Sequence, residues 1–458
     1  MTRIGIIGGG PGGYEAALAA AQLGAEVVLV DRDGLGGSAV LTDCVPSKAL
    51  IAVSDVMDEV EDSRALGVVF DSRVSVDLAR LNARVQALAV AQSEDVERHL
   101  ATDGVTVVHG TGRLEGPHRV LAVTDGGEQG FDVDAVLVAT GAHPRVLDDA
   151  LPDGERILTW TQLYELDTLP ERLVVVGSGV TGAEFANAYE SLGSDVVLVS
   201  SRDRVLPGED ADAAEVIEGV FRRRGMTVLS RSRAAAARRT GDGVVVRLTD
   251  GRTVEGSHVL MAVGSVPNVD GLGLDGAGVQ LDDHGYIRVD RVSRTSAAGV
   301  YAAGDVTGVL MLASVAAMQG RIAMRHALGD AVSPLDLGVV SSTVFTDPEI
   351  ATVGWTQRMI DDGAVQAVSV KLPLARNPRA KMQAITDGFV KVFCRPGTGT
   401  VMGGVVVAPR ASELIHPLSL AVRQGLTADQ VADAFTVYPS LSGSVAEAAR
   451  ELRTARDG

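Results

Sequence analysis

The chain has 458 residues, 46% of them apolar and 53 of them glycine, too long for one core and suited to two to four turn-rich α/β domains. A formal net charge of −18 argues against a nucleic-acid or anionic-membrane partner, since either would select a basic face. Two cysteines far apart, Cys44 and Cys394, make no secreted disulfide framework, and no apolar run reaches the roughly 18 residues of a transmembrane helix.

Residues 4–7 form a continuous apolar stretch, as a buried parallel strand requires, and nothing before them has a signal-peptide layout. The cytoplasm is the expected location, with no stable membrane insertion. The stretch feeds Gly8-Gly9-Gly10-Pro11-Gly12-Gly13, a G-x-G-x-x-G turn, then a helical run over 14–23 and a second strand over 25–30 that ends at Asp31. Gly8 permits the tight turn, Gly10 lets backbone approach a pyrophosphate, and Gly13 lets helix pack on strand. The phosphates meet the positive end of the helix, and Asp31 stands where an acid accepts from a ribose 2′-OH. Without its flanking strands and acid the glycine pattern is a weak signal; with them it reads as a dinucleotide site.

Next comes Gly36-Gly37-Ser38-Ala39-Val40-Leu41-Thr42-Asp43-Cys44-Val45-Pro46-Ser47-Lys48. It resembles the redox-active segment of the FAD-dependent pyridine nucleotide–disulfide oxidoreductases, the lipoamide dehydrogenase and glutathione reductase family. That family has two cysteines here; this chain has Ala39 at the first position and Cys44 at the second. A dithiol couple needs two sulfurs within bonding reach, so disulfide reduction by the usual route is not expected. The resemblance assigns the first dinucleotide as FAD and adds Gly37, Ser38 and Lys48 to its contacts.

Helical spacing over 56–98 reads as packing against a sheet, and residues 105–108 and 120–124 read as strands of a small antiparallel insert. A buried strand over 133–138 runs into Ala139-Thr140-Gly141-Ala142-His143-Pro144-Arg145, which resembles the family's exit from the FAD domain and places Thr140 and Gly141 near that cofactor. His143 reads as a solvated loop residue.

A second strand, over 173–176, opens a second fingerprint, Gly177-Ser178-Gly179-Val180-Thr181-Gly182, followed by a helix carrying Glu184. Two such units imply two dinucleotides, with electrons passing from one to the other. Ser200 stands at the same offset from Gly177 as Asp31 does from Gly8, and Arg202 and Arg204 follow it. Without a carboxylate to repel it a 2′-phosphate becomes acceptable, and an arginine can pair with it; the alternative is that both arginines are solvated loop charges. The reading is that NADPH is accepted, with NADH also used.

A helix is expected over 209–224, then strands near Thr227 and Val244. Gly264-Ser265-Val266-Pro267-Asn268 resembles the family's exit from the nicotinamide domain, with serine in place of its arginine, and Gly264 is counted with that site. Residues 300–306, with Gly304 and Asp305, resemble the second FAD motif, in which the aspartate meets the ribityl chain. Residues 344–354 resemble the opening of the interface domain, and 388–394 with 401–407 read as paired antiparallel strands, with Cys394 a buried apolar filler.

Near the end, Tyr438-Pro439-Ser440-Leu441-Ser442-Gly443 takes the place of the family's His-Pro-Thr-x-x-Glu, the base given to the partner subunit. A phenol with a pKa of about 10 is a poor base at neutral pH but can donate a hydrogen bond to a bound oxygen. The resemblance implies an α/β protein with two Rossmann-like domains, FAD-binding over 1–147 and 268–335 and NAD(P)-binding over 148–267. An α+β C-terminal dimerisation domain over 336–458 completes a homodimer. It makes Lys48, Glu184, Cys44 and Tyr438 the candidate catalytic residues, with Lys48 and Glu184 paired near flavin N5. Cys44 tunes the flavin, makes a thiolate charge-transfer contact, or fills space. The pattern resembles NAD(P)H:quinone reductases built on this scaffold, and a quinone is the expected acceptor. A soluble pyridine nucleotide transhydrogenase and a non-catalytic FAD-binding redox sensor are the alternatives.

Overall fold

The computed structural model describes residues 1–72 and 74–457, with side chains described through residue 453. By backbone contacts the chain divides into two compact units, residues 1–49, 80–145 and 264–336 in the first, and 50–79, 146–263 and 337–458 in the second.

Apolar runs with no alternation are what strands covered on both faces need. In the first unit such runs pair in parallel in the order Val300–Ala302, Ala135–Val138, Arg3–Ile7, Glu26–Asp31, Thr106–His109. Ile4, Ile6, Leu29 and Leu137 are fully buried there. On one face the helix Pro11–Gln22 packs against Ala313–Ala327, and small residues set the spacing: a Cβ on Gly320 would come within 2.1 Å of the Gly12 carbonyl oxygen. The last strand therefore arrives from far along the chain to complete the first sheet. One expectation fails. Thr106–His109 is the edge of this parallel sheet, and the antiparallel insert is Thr111–Leu114, Arg119–Thr124 and Gly127–Asp132. Its pattern of partial exposure reads alike for either partner, and only the pairing with Val28–Asp31 decides.

The chain leaves the first parallel sheet through Ala142–Pro144 and comes back through Ser265–Pro267, and these two short strands pair antiparallel, Val266 opposite His143. Asn268 fastens them. Its amide nitrogen donates to the Thr140 carbonyl, its carbonyl accepts from the Thr140 hydroxyl, and its Oδ1 lies 2.6 Å from His143 Nδ1. His143 is exposed, but it is a strand residue with a partner rather than a free loop residue.

The second unit holds a parallel sheet in the order Thr227–Leu229, Asp195–Val199, Arg172–Val176, His258–Met261, Ile157–Leu158. It also holds an antiparallel sheet in the order Ser341–Val344, Glu349–Gly354, Val401–Ala408, Phe389–Cys394, Val368–Pro373. Every residue of Phe389–Cys394 is buried, Cys394 as part of the apolar core and Lys391 as a charge. A charge there needs a counter-charge. Asp210, the N-cap of the helix Ala211–Arg223, supplies it, with Oδ2 2.8 Å from Lys391 Nζ and only 3% of its side chain exposed. Burial pushes the Asp212 carboxyl up, but hydrogen bonds from Lys391 and Lys371 outweigh it and hold it below the ordinary value.

Candidate functional site

The two fingerprints fold alike, residue for residue. Gly8 and Gly177 have φ of +101° and +114°, and a Cβ on either would strike a carbonyl oxygen, Ala139 at 2.3 Å and Ala262 at 2.0 Å. Gly13 and Gly182 back onto the turn itself, where a Cβ would lie 1.8 and 1.9 Å from the carbonyl oxygens of Gly8 and Gly177. The middle glycines differ. Gly10 and Gly179 cap their helices in extended backbone, at φ of −67° and −72°, which any residue adopts. A Cβ on Gly179 would meet nothing within 4 Å, and one on Gly10 only Gly37 Cα at 4.0 Å. Neither the backbone nor the protein's packing asks for glycine there. The open space lies at a helix N-terminus, where backbone N–H groups favour an anion, so both cradles fit a dinucleotide pyrophosphate.

Around the first cradle, Gly36 donates its N–H to the Gly9 carbonyl at 2.8 Å, and Gly37, at φ +54°, comes so close to Gly10 that a Cβ would lie 2.8 Å from its Cα. Ser38 sits exposed in the short helix Gly37–Leu41, and its carbonyl accepts from the N–H groups of Thr42 and Asp43. Cys44 opens the helix Cys44–Asp62, and Lys48 follows one turn later on the same side. Asp305 follows Gly304, whose φ of +80° is open to glycine, and burial, then the neighbouring Asp43, push its carboxyl up to about 6. A half-buried acid of this kind suits a ligand rich in hydroxyl donors.

Asp31 does more than its position in the sequence promised. Its Oδ2 accepts the Gly9 N–H at 2.7 Å, and Oδ1 accepts those of Asp33 and Gly34 at 3.0 and 2.7 Å. A carboxylate has about four lone-pair sites, so roughly one is left for a ribose hydroxyl. In the second cradle Ser178 replaces Gly9 and Ser200 replaces Asp31, and their hydroxyls lie 2.7 Å apart. Ser200, at the offset of Asp31, is fully buried, with its Oγ accepting from the Arg202 N–H at 3.1 Å. Its hydroxyl also donates toward the carbonyls of Arg202 and Arg204, at 3.2 and 3.3 Å, in the loop that carries them. Arg202 is exposed and Arg204 half-buried, and the Arg231 N–H donates to the Arg202 carbonyl. Gly264, at φ +94°, serves the chain crossing, where its carbonyl accepts from the Arg145 N–H.

Glu184, on the helix Val180–Leu192, is 3% exposed, and its Oε1 accepts the Phe345 N–H at 2.9 Å. Tyr438 is 82% exposed, beside equally bare Phe435 and Val437. A cavity of about 290 Å³ lies behind it, lined by Leu372, Asn377, Thr436, Glu447 and Arg450 among others. Asn377 braces this loop by donating to the Ser440 carbonyl and the Ser444 hydroxyl.

Sequence reasoning missed a half-buried acid group in the second unit. Arg224 bridges Asp58, at 3.1 Å, and Asp347. Asp55, exposed at the rim of the group, is pushed up to about 7 by partial desolvation, with Asp347 and Asp58 adding repulsion. Burial likewise raises Asp58 to about 6 and Glu190 to about 7, each against the pull of Arg224. These carboxyls bind protons more tightly folded than unfolded, so the stability they give is largest below about pH 4 and is lost as pH rises through 6 to 7. His258 opposes them. Burial, then Arg156, holds its imidazole down to about 4, so its contribution falls as pH drops below about 6.5. Half-buried Asp58 and Glu190 together outweigh His258, and the thermal midpoint is expected to be about 2 °C higher at pH 5.5 than at pH 8. A midpoint that is flat or falls over that range contradicts this.

Residues 2–320 match the family Pyridine nucleotide-disulphide oxidoreductase, and residues 340–449 match that family's dimerisation domain. The chain is 56% identical over 463 residues to a protein of Mycobacterium tuberculosis H37Rv named NAD(P)H dehydrogenase (quinone), covering 99% of this chain and 94% of that one. It is 35% identical to the dihydrolipoyl dehydrogenase of Chlorobaculum parvum, over 97% and 96% of the two chains. Among solved structures, the crystal structure of LpdA from M. tuberculosis superposes with a TM-score of 0.95 at 55% identity, covering 99% and 100% of the two chains. The HOCl-induced flavoprotein disulfide reductase RclA of Escherichia coli shares the fold, with a TM-score of 0.87 over 98% and 99% of the two chains at 24% identity.

Proposed function

We propose, from the premise that the chain belongs to the pyridine nucleotide–disulphide oxidoreductase family, that it is an NAD(P)H:quinone oxidoreductase using FAD. The observation that carries the reading is a single sulfur: Ala39 stands at the position where a dithiol with Cys44 would need its second cysteine, on a frame with two intact dinucleotide cradles. The name of the relative at 56% identity supports the quinone as acceptor. Overall, NAD(P)H, a proton and a quinone become NAD(P)⁺ and a hydroquinone.

FAD, when bound, would supply the redox chemistry that links NAD(P)H oxidation to quinone reduction. The chain's residues hold and orient. The cradle at Gly8, Gly10 and Gly13 takes FAD, helped by Asp31, Gly37, Ser38, Thr140, Gly141, Gly304 and Asp305. The cradle at Gly177, Gly179 and Gly182 takes NAD(P)H. Lys48 and Glu184 are proposed as a charge pair on the strength of the family resemblance, and Cys44 as a neighbour of the flavin. Three domains are proposed, FAD-binding over 1–147 and 268–335, NAD(P)-binding over 148–267, and dimerisation over 336–458. The bare Phe435, Val437 and Tyr438 support a homodimer, in which the partner subunit's Tyr438 donates a hydrogen bond to the quinone carbonyl. The cytoplasm is the proposed location; among the described residues no helix is long and apolar enough to cross a membrane.

The test is a steady-state assay of the FAD-loaded protein with NADH and NADPH against menadione, lipoamide, oxidised glutathione and thio-NAD⁺. Fast menadione turnover with no disulfide reduction supports the reading, and Tyr438→Phe should then raise the quinone KM several-fold. Exchange onto thio-NAD⁺ without menadione turnover replaces the reading with a transhydrogenase. A second expectation concerns the nucleotide. Arg202→Ala with Arg204→Ala should raise the NADPH KM about tenfold, the loss of one charge-assisted phosphate contact, and leave the NADH KM within twofold. Equal losses for both nucleotides would make the two arginines ordinary loop charges.

A further inference from the structure

The helix Val180–Leu192 presents Glu184, Asn187 and Ser191 at spacings of three and four, which line up on one side. Each is taken up by a polar group from elsewhere in the second unit. Glu184 Oε1 accepts the Phe345 N–H at 2.9 Å, Asn187 Oδ1 accepts the Asp347 N–H at 3.1 Å, and the Ser191 hydroxyl donates to Asp58 Oδ2 at 2.8 Å. Arg224 ties off the far end by bridging Asp58 and Asp347. Glu184 and Asn187 are 3% and 2% exposed, so these contacts are made away from bulk water.

The terminal torsion of a glutamate is soft and roughly two-fold, so a carboxylate with no fixed donor samples many orientations. The Phe345 N–H selects one of them by holding Oε1. Where that N–H sits depends on the next rung, because Phe345 leads directly into the bend 346–348 and only one residue separates it from Asp347. Asn187 holds that rung, and Arg224 holds the side chain of the residue that forms it. We infer that Asn187 is a positioning residue, which sets the direction of the Glu184 carboxylate by fixing the Phe345–Asp347 segment against the nucleotide-binding helix. The segment lies in the stretch that matches the dimerisation domain, so this domain gives its own chain's nucleotide helix a backbone donor. The inference rests on the reading of Glu184 as a member of the charge pair, since only then does its direction matter to the rate.

The experiment is a kinetic double-mutant cycle on the FAD-loaded protein, following bleaching of flavin absorbance by NADPH in a rapid mixer. Asn187→Ala is expected to slow bleaching about tenfold, with the NADPH concentration at half-maximal rate within twofold of the parent. Glu184→Ala is expected to slow it by at least as much, and adding Asn187→Ala to Glu184→Ala should then change the rate less than twofold. Asn187→Ala at parental rate, or an equal slowing in both backgrounds, overturns the inference while leaving Glu184 its role. Glu184→Ala at parental rate removes the reading of Glu184 and the inference with it.

Discussion

Lys391→Met is expected to cost about 3–5 kcal/mol of stability, the loss that follows when one partner of a buried ion pair is removed. The side chain is 4% exposed and its Nζ lies 2.9 and 2.8 Å from the two carboxylate oxygens of Asp210, itself 3% exposed. Methionine fills a similar volume but leaves the Asp210 charge inside with two backbone N–H donors, from Asp212 and Ala213, to hold it. Repair should come from the other side: Asp210→Asn in the Lys391→Met background keeps a capping oxygen for the helix and removes the stranded charge. The control is Lys371→Met. That lysine pairs with Asp212 but is 47% exposed, and an exposed pair contributes about 1 kcal/mol or less. Urea midpoints of the three variants decide the matter. Equal small losses for Lys391 and Lys371 would mean that water reaches Lys391 in solution.

Gly179→Val should leave the fold and the FAD content unchanged while raising the KM for both NADH and NADPH at least tenfold. The backbone at this residue tolerates any side chain, and a Cβ would meet no protein atom within 4 Å, so the substitution acts only on what occupies the space beyond. A branched side chain there keeps phosphates off the helix N-terminus, and a tenfold loss is about 1.4 kcal/mol, within what a few displaced phosphate contacts supply. Gly182→Ala makes the contrast. Its Cβ would lie 1.9 Å from the Gly177 carbonyl oxygen, so helix and strand must part, and the whole unit should lose stability. Unchanged KM values in a stable Gly179→Val would place the nicotinamide nucleotide elsewhere.

What could be read from the sequence was local. Strand, glycine turn and helix lie within about thirty residues in each fingerprint, and the glycines of each turn are inside that window, while the carbonyls of Ala139 and Ala262 that close on them come from elsewhere. The exchange of Gly9 and Asp31 for Ser178 and Ser200 was legible in principle, because aligning the two copies sets the substitutions side by side. Where the two serines meet was not: only the folded chain brings their hydroxyls within 2.7 Å of each other. Lys391 with Asp210, and Asn187 with Asp347, join residues more than 150 positions apart. Neither leaves a periodicity to detect, since each is set by which strand or helix end the fold brings near. A lone lysine in an apolar strand and a lone asparagine in an alanine-rich helix were the only hints. Thr106–His109 failed for a related reason, as a strand's own residues do not name its neighbour.

The paired strands Ala142–Pro144 and Ser265–Pro267 bear on how the chain assembles during folding. The first sheet closes only when Val300–Ala302 reaches Ala135–Val138, across a length of chain that would otherwise have to be gathered from a disordered coil. Loop closure costs about 0.6 kcal/mol per doubling of length, and a searching coil that long is also slow. The intervening residues carry a parallel sheet and a three-stranded antiparallel sheet of their own, Ala234–Thr240, Gly243–Leu248 and Thr253–Gly256, and they begin and end at neighbouring points of the ribbon. Once they have condensed, the distance the final strand must search is set by the ribbon and not by the length of the chain between. An order of assembly follows from the connectivity: the insertion first, then the sheet that it interrupts.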